Sequence, residues 1–180
     1  MFDMTRDCPA PGYLFSTVPS FFPRQDILLA GLKVYSHLQS EPFGHCLSLV
    51  DLDQLGKKLR NAEQQKNIVS LLAPEEKKIF LSFSYPKRQI EWLGGRIAGK
   101  CAALILLEKK IAINRLTTIV IMPRDNGSPE LRSLLPVDQP PSVSISHSKK
   151  FAVGMAAHAP ACGVDIQKIT DQTRKVVSRF

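Results

Sequence analysis

Two polar side chains alternate with apolar ones near the end of the sequence, in Gly163-Val-Asp-Ile-Gln167. Because successive side chains of a strand point to opposite faces, this spacing predicts a strand with Asp165 and Gln167 together on one face. A carboxylate beside an amide oxygen suits Mg²⁺, which takes one or two protein carboxylates and completes its shell with water and substrate phosphates. A half-exposed edge strand shows the same alternation without any metal, so both interpretations stay open at this point.

A polar segment upstream, residues 146–150, brings hydroxyl, imidazole and ammonium groups into one predicted turn. Such groups donate hydrogen bonds to phosphate oxygens, and a catalytic serine–histidine pair is disfavoured because adjacent residues at a strand end point apart. No third, orienting acid is evident either. A solvated polar turn remains the alternative to phosphate binding. The candidate phosphate ligands are Ser146, His147, Ser148 and Lys149.

The strongest helical pattern covers residues 87–107 and carries several cations. Its apolar residues recur at spacings of three and four, which predicts one apolar stripe along a helix. At about 100° per residue, Arg88 and Arg96 lie about 80° apart around this helix, and Lys100 follows one turn later. The two guanidinium groups could share one anionic ligand, or the cations could form a solvated face.

Two glycines, Gly94 and Gly95, interrupt the same helix. Each glycine costs a helix about 1 kcal/mol relative to alanine, so the pair indicates that something approaches the helix backbone closely. A ligand and a tightly packed neighbouring element would both meet this description.

The composition is that of an ordinary globular protein. The chain has 180 residues, of which 44% are hydrophobic and 22% charged, which excludes a disordered chain and suits one domain with or without a terminal extension. Its 24 Lys and Arg against 16 Asp and Glu give a net charge of +8. This charge favours an anionic partner such as a phosphorylated small molecule, an acidic protein, a membrane surface or a nucleic acid. No helix-turn-helix, zinc-finger or RNP-like segment is evident, so nucleic acid binding would rest on charge alone.

The four cysteines, at positions 8, 46, 101 and 162, are scattered, with no CxxC pair and no histidine at ligand spacing. This pattern indicates neither a zinc site nor a disulfide framework. Charged residues precede any apolar run at the N-terminus, and no apolar run approaches the ~20 residues of a membrane span. We therefore expect a soluble protein in a reducing compartment, the cytoplasm.

The candidate binding residues must be positioned by the predicted helices and strands. The order of these elements predicts an α+β fold, in which a small, mostly antiparallel sheet packs against the long helix. Residues 1–43 contain scattered prolines and no clear periodicity, so we expect an irregular extension that packs on a domain of residues 44–180. A helix is predicted to begin at Pro74 and to run to about Ser84, after a polar stretch that is either a helix or a long loop. The Asn126-Gly127 pair predicts a turn over residues 124–129. Strands are predicted over residues 44–53, 116–122, 142–146, 151–157 and 163–167.

Five short motifs follow one another along residues 70–180. They are Pro74-Glu-Glu, Arg88-Gln-Ile-Glu-Trp-Leu-Gly-Gly-Arg96, Gly127-Ser-Pro129, Ser144-Ile-Ser-His-Ser148 and Gly163-Val-Asp-Ile-Gln-Lys168. In this order and spacing they resemble the first lobe of surfactin-type 4'-phosphopantetheinyl transferases. The resemblance implies a lobe with that fold that takes coenzyme A and Mg²⁺. It also implies transfer of the phosphopantetheine arm to a serine of an acyl or peptidyl carrier protein, with release of adenosine 3',5'-bisphosphate.

The resemblance further implies roles for individual residues. Asp165 would be a metal ligand, with Gln167 at a position where many relatives have glutamate. The remaining residues implied in binding come from three motifs and would hold coenzyme A. They are Lys87, Arg88 and Arg96 at the phosphates, Ser146, His147, Ser148 and Lys149 at the 3'-phosphate, and Gly127, Ser128 and Pro129 beside the adenine.

Surfactin-type relatives have two similar lobes, and the second supplies a Trp-x-x-Lys-Glu segment whose glutamate is a metal ligand and general base. By this resemblance the segment would lie beyond Phe180, so the base that accepts the serine proton is missing from the chain. We therefore expect the 180-residue chain to be weakly active or inactive by itself, unless a homodimer replaces the second lobe. A non-catalytic module that binds coenzyme A or a carrier protein is the alternative function.

Overall fold

The computed structural model describes residues 24–39, 44–108, 113–133 and 139–168. The strands in these ranges are β1 (Arg24–Leu29), β2 (Leu32–Gln39), β3 (His45–Asp51), β4 (Ile119–Pro123), β5 (Pro129–Ser133), β6 (Ser142–His147) and β7 (Phe151–Ala157). Five of them form an antiparallel sheet in the order β1-β2-β3-β7-β6, with β6 at one edge. The other two, β4 and β5, form a separate antiparallel hairpin.

The helices are α1 (Leu52–Leu59), α2 (Ala62–Val69), α3 (Pro74–Ser82) and α4 (Pro86–Glu108), and a 3₁₀ helix covers Ile113–Thr118. The long helix α4 packs on the main sheet against β3, β7 and β6. The predicted α+β fold, with an antiparallel sheet against a long helix, is therefore confirmed. No helix in the described part of the chain is long and apolar enough to cross a membrane.

Glycines allow α4 to approach the sheet closely. A Cβ atom at Gly154 of β7 would lie 2.3 Å from the backbone nitrogen of Gly99 in α4. A Cβ atom at Gly95 would lie 2.7 Å from Cγ2 of Ile145, and one at Gly94 would lie 2.4 Å from a leucine side chain of α1. The neighbours of Gly94 and Gly95 are thus core side chains of the protein itself, which supports tight packing as the reason for the glycine pair.

Residues 24–39 form a β-hairpin, so our prediction of irregular chain there is wrong. The turn residues Ala30 and Gly31 have positive φ angles of 48° and 76°, which match the two-residue turns that join paired strands. Because β2 pairs with β3, the hairpin belongs to the same sheet as the predicted domain. The prolines and aromatic residues upstream obscured this short alternating segment. Residues 1–23 and 40–43 of the predicted extension lie outside the described residues.

The other predicted elements agree with the structure in most cases. The strands that begin near residues 44, 142 and 151 and the helices that begin near residues 74 and 87 are confirmed as β3, β6, β7, α3 and α4. The strand predicted over residues 116–122 begins only at Ile119, because the residues before it continue a 3₁₀ helix. The polar stretch after β3 forms two short helices, α1 and α2, capped by the side chains of Asp51 and Asn61.

An enclosed ion pair joins α3 to α4. The side chains of Glu76 and Lys100 are 0% and 1% exposed. The Glu76 carboxylate also accepts the backbone N–H groups of Ala73 at 2.9 Å and Ile121 at 3.0 Å, and the Lys100 ammonium donates to the Leu71 carbonyl at 3.1 Å. Burial lowers the pKa of Lys100, and Glu76 opposes this effect. Lys100 is therefore not one of the solvent-accessible cations that we considered on this helix.

Candidate functional site

Four side chains at the start of α4 and in the segment before it form a stack. The Arg88 guanidinium lies 5.5 Å from the centre of the Phe83 ring, the Phe83 and Trp92 rings are 5.8 Å apart, and the Arg96 guanidinium lies 4.7 Å from the Trp92 ring. These distances allow cation–π contacts. Arg88, Trp92 and Arg96 follow at intervals of four residues, so they share one side of α4. The aromatic rings thus fix both guanidinium groups in one row.

Arg96 carries a hydrogen-bond donor that the described residues leave unused. Its Nε atom is buried and has no hydrogen-bond partner. Burial lowers the pKa of Arg96, and the negative charge of Glu76 opposes this effect. Buried side-chain polar atoms without a partner are uncommon, and in the described residues they are Arg96 Nε and Arg115 Nε, so Arg96 Nε is free to donate to a ligand. An anion such as a phosphate would supply the acceptor. Lys87, by contrast, is exposed and lies 3.8 Å from the carboxylate of Glu91.

The predicted phosphate turn lies at the end of β6. His147 is the last residue of that strand, and Ser148 and Lys149 lie in the connection to β7. The backbone N–H of Ser148 donates to the Phe151 carbonyl at 2.8 Å, which closes the turn. The side chains of His147 and Lys149 are exposed and accessible to a ligand.

The same turn lies next to the middle of α4. Ala152, the partner of His147 in the β6–β7 pairing, lies 3.3 Å from the position that a Cβ atom of Gly94 would occupy. Arg96 follows Gly94 by two residues, about 200° further around the helix, so its side chain leaves α4 on a different side from the Gly94 contact. Within the described residues, no hydrogen bond or ion pair joins Arg88 or Arg96 to His147.

Asp165 and Gln167 lie side by side and are both exposed. The Gln167 side-chain amide donates to Asp165 Oδ2 at 2.8 Å, and the Ser146 hydroxyl donates to Asp165 Oδ1 at 2.7 Å. These two hydrogen bonds, that from Ser146 first, lower the pKa of Asp165. The carboxylate is therefore held in its ionised form, which is the form that binds a cation.

The strand predicted over residues 163–167 is absent. The backbone N–H groups of Val164 and Ile166 donate to the hydroxyls of Ser144 at 3.1 Å and Ser146 at 3.3 Å, where a strand would use the carbonyls of a neighbouring strand. The alternation itself is present, because the two apolar side chains are half-buried and the two polar ones exposed. The strand prediction was wrong, and the predicted common side for the two polar residues is confirmed.

Ser146 and His147 face opposite sides of the sheet. The Ile145 side chain packs against Gly95 of α4, so the alternation of a strand directs Ser146 away from α4 and His147 towards the α4 side. The single hydroxyl proton of Ser146 is donated to Asp165. In this structure, Ser146 holds the carboxylate rather than offering its proton to a phosphate.

The predicted turn over residues 124–129 forms around Gly127, whose φ of 82° lies in the left-handed region that glycine adopts without strain. The Ser128 hydroxyl donates to Asn126 Oδ1 at 2.7 Å, which orders the turn. Ser128 and Pro129 line a cleft of about 270 Å³. The other lining residues are Arg124, Glu130, Leu131, Pro140, Pro141, Ser142, Val143, Pro160, Ala161 and Cys162.

This cleft and the phosphate turn lie at opposite ends of β6. Ser142, the first residue of the strand, lines the cleft, and His147 is the last residue. At about 3.4 Å per residue, the two ends are roughly 17 Å apart. The structure therefore brings Asp165, Gln167 and Ser146 together, but it separates Ser128 and Pro129 from the His147 turn.

Only part of a metal site is present in the described ranges. No group of three or more His, Cys, Asp and Glu side chains there could hold a metal ion. Asp165 with the oxygen of Gln167 fits a Mg²⁺ ion that takes one protein carboxylate and fills its shell with water and phosphate. Cys101 is excluded from such chemistry, because complete burial raises the pKa of its thiol.

Two features of the site were missed in the sequence. Phe83 lies before the predicted long helix, so its contact with Trp92 had no periodic signal. The link between Ser146 and Asp165 joins residues 19 positions apart. The one hint of this link in the sequence is that two serines, at positions 144 and 146, have the same two-residue spacing as the residues at 164 and 166 whose backbone N–H groups they accept.

Comparison with known proteins identifies the family. A holo-[acyl-carrier-protein] synthase of Geobacillus sp. (strain WCH70) is 37% identical over 108 residues, which are 59% of this chain and 87% of that relative. The chain belongs to the holo-[acyl-carrier-protein] synthase family. The predicted membership of the 4'-phosphopantetheinyl transferase superfamily is thus confirmed. No family model matches the chain.

Solved holo-[acyl-carrier-protein] synthases have the same fold. The synthase of Bacillus anthracis str. Ames, solved in complex with CoA (3',5'-ADP), gives a TM-score of 0.54 at 25% identity and covers 62% of this chain and 90% of that chain. The synthase of Helicobacter pylori, solved with coenzyme A, gives a TM-score of 0.51 at 20% identity and covers 61% of this chain and 95% of that chain. About three fifths of this chain therefore accommodates nearly the whole of each synthase.

Proposed function

We propose that this protein transfers the 4'-phosphopantetheine arm from coenzyme A to a serine hydroxyl of an acyl carrier protein. The observation that carries the proposal is the 37% identity to a holo-[acyl-carrier-protein] synthase across 87% of that relative. The coenzyme A complex of the Bacillus anthracis synthase supports the same donor for this chain.

The reaction exchanges a phosphoanhydride bond of coenzyme A for a phosphate ester bond to serine. The serine oxygen attacks the phosphorus of the phosphopantetheine arm and gives up its proton to a base or to water, the pyrophosphate bond breaks, and adenosine 3',5'-bisphosphate leaves. Negative charge grows on the leaving phosphate oxygen, and fixed cations there lower the barrier. We assign this role to Arg88 and Arg96, with Lys87 at the rim, because the aromatic stack holds both guanidinium groups and Arg96 Nε has no partner in the described chain.

The 3'-phosphate of coenzyme A is assigned to the turn after β6. His147, Ser148 and Lys149 would bind it, supported by the exposed side chains of His147 and Lys149. The adenine and the 3'-phosphate are carried by the same ribose, so one coenzyme A molecule cannot place them at opposite ends of β6, roughly 17 Å apart. The cleft at Ser128 and Pro129 is therefore not assigned to the adenine.

Asp165 and Gln167 would hold Mg²⁺, and Ser146 would orient the carboxylate. When bound, the ion would supply positive charge to the phosphate oxygens. Asp165 belongs to no group of three or more His, Cys, Asp and Glu side chains that could hold a metal ion in the described residues. We therefore also propose that the isolated chain is weakly active and that a homodimer raises its activity. As a separate proposal, the protein works in the cytoplasm.

Calorimetric titration with coenzyme A, with and without Mg²⁺, tests the binding assignments. Arg96→Ala is expected to weaken binding roughly 10- to 150-fold, the equivalent of one charged hydrogen bond. Arg60→Ala, which removes an exposed arginine at the end of α1, is the matched control and should bind as the wild type does. Dephospho-coenzyme A should bind more weakly than coenzyme A to the wild type, and His147→Ala should abolish that difference.

Mass spectrometry of an apo-acyl carrier protein incubated with the protein, coenzyme A and Mg²⁺ tests the transfer itself. Slow formation of the holo form would support the transferase proposal. Coenzyme A binding with no holo form at any protein concentration would support the non-catalytic binding module instead. Absence of coenzyme A binding would contradict both functions.

A further inference from the structure

A buried carboxylate joins α3 to β4 behind the helix that carries the guanidinium groups. The Glu76 side chain accepts the backbone N–H of Ala73, at the start of α3, and that of Ile121 in β4. The first of these is the capping contact in which a glutamate of the first turn accepts the N–H of the residue that precedes the helix. A negative charge is thus buried here because its two oxygens are needed by the backbone.

This charge lies about one helical turn from Arg96. Lys100, which contacts Glu76, follows Arg96 by four positions on α4, and residues four apart on a helix are neighbours, with Cβ atoms about 6 Å apart. The pKa values of the two cations agree with this proximity. Burial lowers the pKa of both, Glu76 opposes this effect on both, and the charge of Arg96 lowers the pKa of Lys100 further. The three charges therefore form one interacting group.

An unpaired carboxylate at this place would oppose anion binding. A phosphate that accepts the free Nε donor of Arg96 would lie roughly 10–15 Å from Glu76, given the spacing of the two helix positions and the reach of the side chains. At that separation and an effective dielectric constant of about 20, the repulsion of two unit negative charges weakens binding about 5- to 20-fold. The capping carboxylate would therefore impair the phosphate site unless its charge were cancelled.

Lys100 supplies the cancelling charge. Its side chain is 1% exposed, its ammonium contacts the Glu76 carboxylate, and it also donates to the Leu71 carbonyl at 3.1 Å. Because Glu76 is 0% exposed, a cation from solution cannot take the place of Lys100. The pair is neutral as a whole, so the positive charge of Arg96 is left uncancelled for a ligand.

We infer that Lys100 is a further residue of the coenzyme A site, which acts without touching the ligand by cancelling the charge of Glu76 behind Arg96. The inference rests on the proposed function, because it concerns the coenzyme A phosphates that we assign to Arg96. A purely structural ion pair predicts something different, since the loss of either member would then disturb the site and weaken binding. Under the inference, the effect of each loss depends on the sign of the charge that is removed.

The test uses three charge variants of the full 180-residue chain. Lys100→Met leaves Glu76 unpaired, Glu76→Gln leaves Lys100 unpaired, and the double variant carries neither charge. Leu29→Ala is the matched control, because Leu29 is 0% exposed in β1, at the far edge of the sheet from β6, so its truncation lowers stability without altering charge. Circular dichroism at the titration temperature establishes that each variant is folded, and calorimetry measures its dissociation constant for coenzyme A.

Lys100→Met is expected to raise the dissociation constant about 5- to 20-fold. Glu76→Gln should leave it unchanged or lower it, because the repelling charge is gone whether or not the Lys100 amine keeps its proton. The double variant and the Leu29→Ala control should both bind coenzyme A about as tightly as the wild type. Should Lys100→Met not fold, Glu76→Gln and the double variant still decide between the two accounts, since a structural role predicts weaker binding in both.

Several results would overturn the inference. Weaker binding in Glu76→Gln, or a double variant that binds no better than Lys100→Met, would leave the pair with a structural role only and the proposed function standing. Unchanged binding in a folded Lys100→Met variant would show that the charge of Glu76 does not reach the ligand. An equal loss in the Leu29→Ala control would assign the effect to lowered stability. A wild type that binds no coenzyme A would overturn the proposed function as well.

Discussion

Replacement of Lys100 by methionine should destabilise the protein strongly. Met retains most of the side-chain volume and removes the ammonium group, so Glu76 keeps its charge inside the core with two backbone N–H groups as its remaining partners. Removing one member of a buried ion pair costs about 3–5 kcal/mol. A domain has a total free energy of unfolding of about 5–15 kcal/mol, so this loss would be a large fraction of it.

Urea unfolding followed by the fluorescence of Trp92, the only tryptophan of the chain, measures this loss. With an m value of about 2 kcal/mol/M, the midpoint should fall by about 1.5–2.5 M at pH 7.

The double variant Glu76→Gln with Lys100→Met is the control for charge. It buries no net charge, but the glutamine offers one oxygen where the carboxylate offers two, so either Ala73 or Ile121 loses the acceptor of its N–H group. An unpaired buried N–H costs about 1–3 kcal/mol, so the double variant should be more stable than Lys100→Met alone. A loss below about 1 kcal/mol for Lys100→Met, or a double variant no more stable than the single one, would refute this account of the pair.

Three further predictions concern packing, the carboxylate and the buried thiol. Gly154→Ala should cost about 1–3 kcal/mol or more in urea unfolding, because its Cβ would meet the α4 backbone, whereas Gly163→Ala, with nothing within 4 Å, should stay within about 0.5 kcal/mol of the wild type. Ser146→Ala should raise the pKa of Asp165 in an NMR titration, because it removes the hydrogen bond that lowers this pKa most. In the wild type, the lowered pKa of Asp165 stabilises the folded protein at pH values above the ordinary aspartate pKa, and this stabilisation is lost as the pH falls through the pKa of the folded state. The Ser146→Ala variant should therefore lose less stability in acid than the wild type does. Cys101 should resist iodoacetamide at pH 8 until urea unfolds the protein, since burial raises its pKa; rapid labelling of native protein would contradict that burial.

Periodic elements of this fold could be predicted from the sequence, and contacts between distant elements could not. The apolar spacing of α4 and the alternation in β6 predicted that helix and that strand to within a few residues. The β1–β2 hairpin was missed because its turn, Ala30-Gly31, lacks the Asn-Gly or Asp-Gly pair that announces such turns. The alternation of polar and apolar residues also favoured a strand over residues 163–167. Alternation does not reveal whether the backbone N–H groups donate to the carbonyls of a neighbouring strand or, as here, to two serine hydroxyls.

The candidate site divides in the same way. Arg88 and Arg96 were correctly expected on one side of their helix, because that follows from helix geometry alone. The burial of Lys100 could not be predicted, because its partner, Glu76, is 24 positions away and belongs to another helix. Similarly, the hydrogen bond that turns Ser146 towards Asp165 depends on where the chain returns after β7.

The contact between Gly99 and Gly154 has a consequence for ligand binding. Backbone meets backbone there, with no side chain between α4 and β7 whose rotamer could change and let the helix slide over the sheet. The row of guanidinium groups on α4 and the turn after β6 are therefore parts of one stiff frame. A ligand that spans them meets a preorganised surface and need not supply the free energy to assemble it.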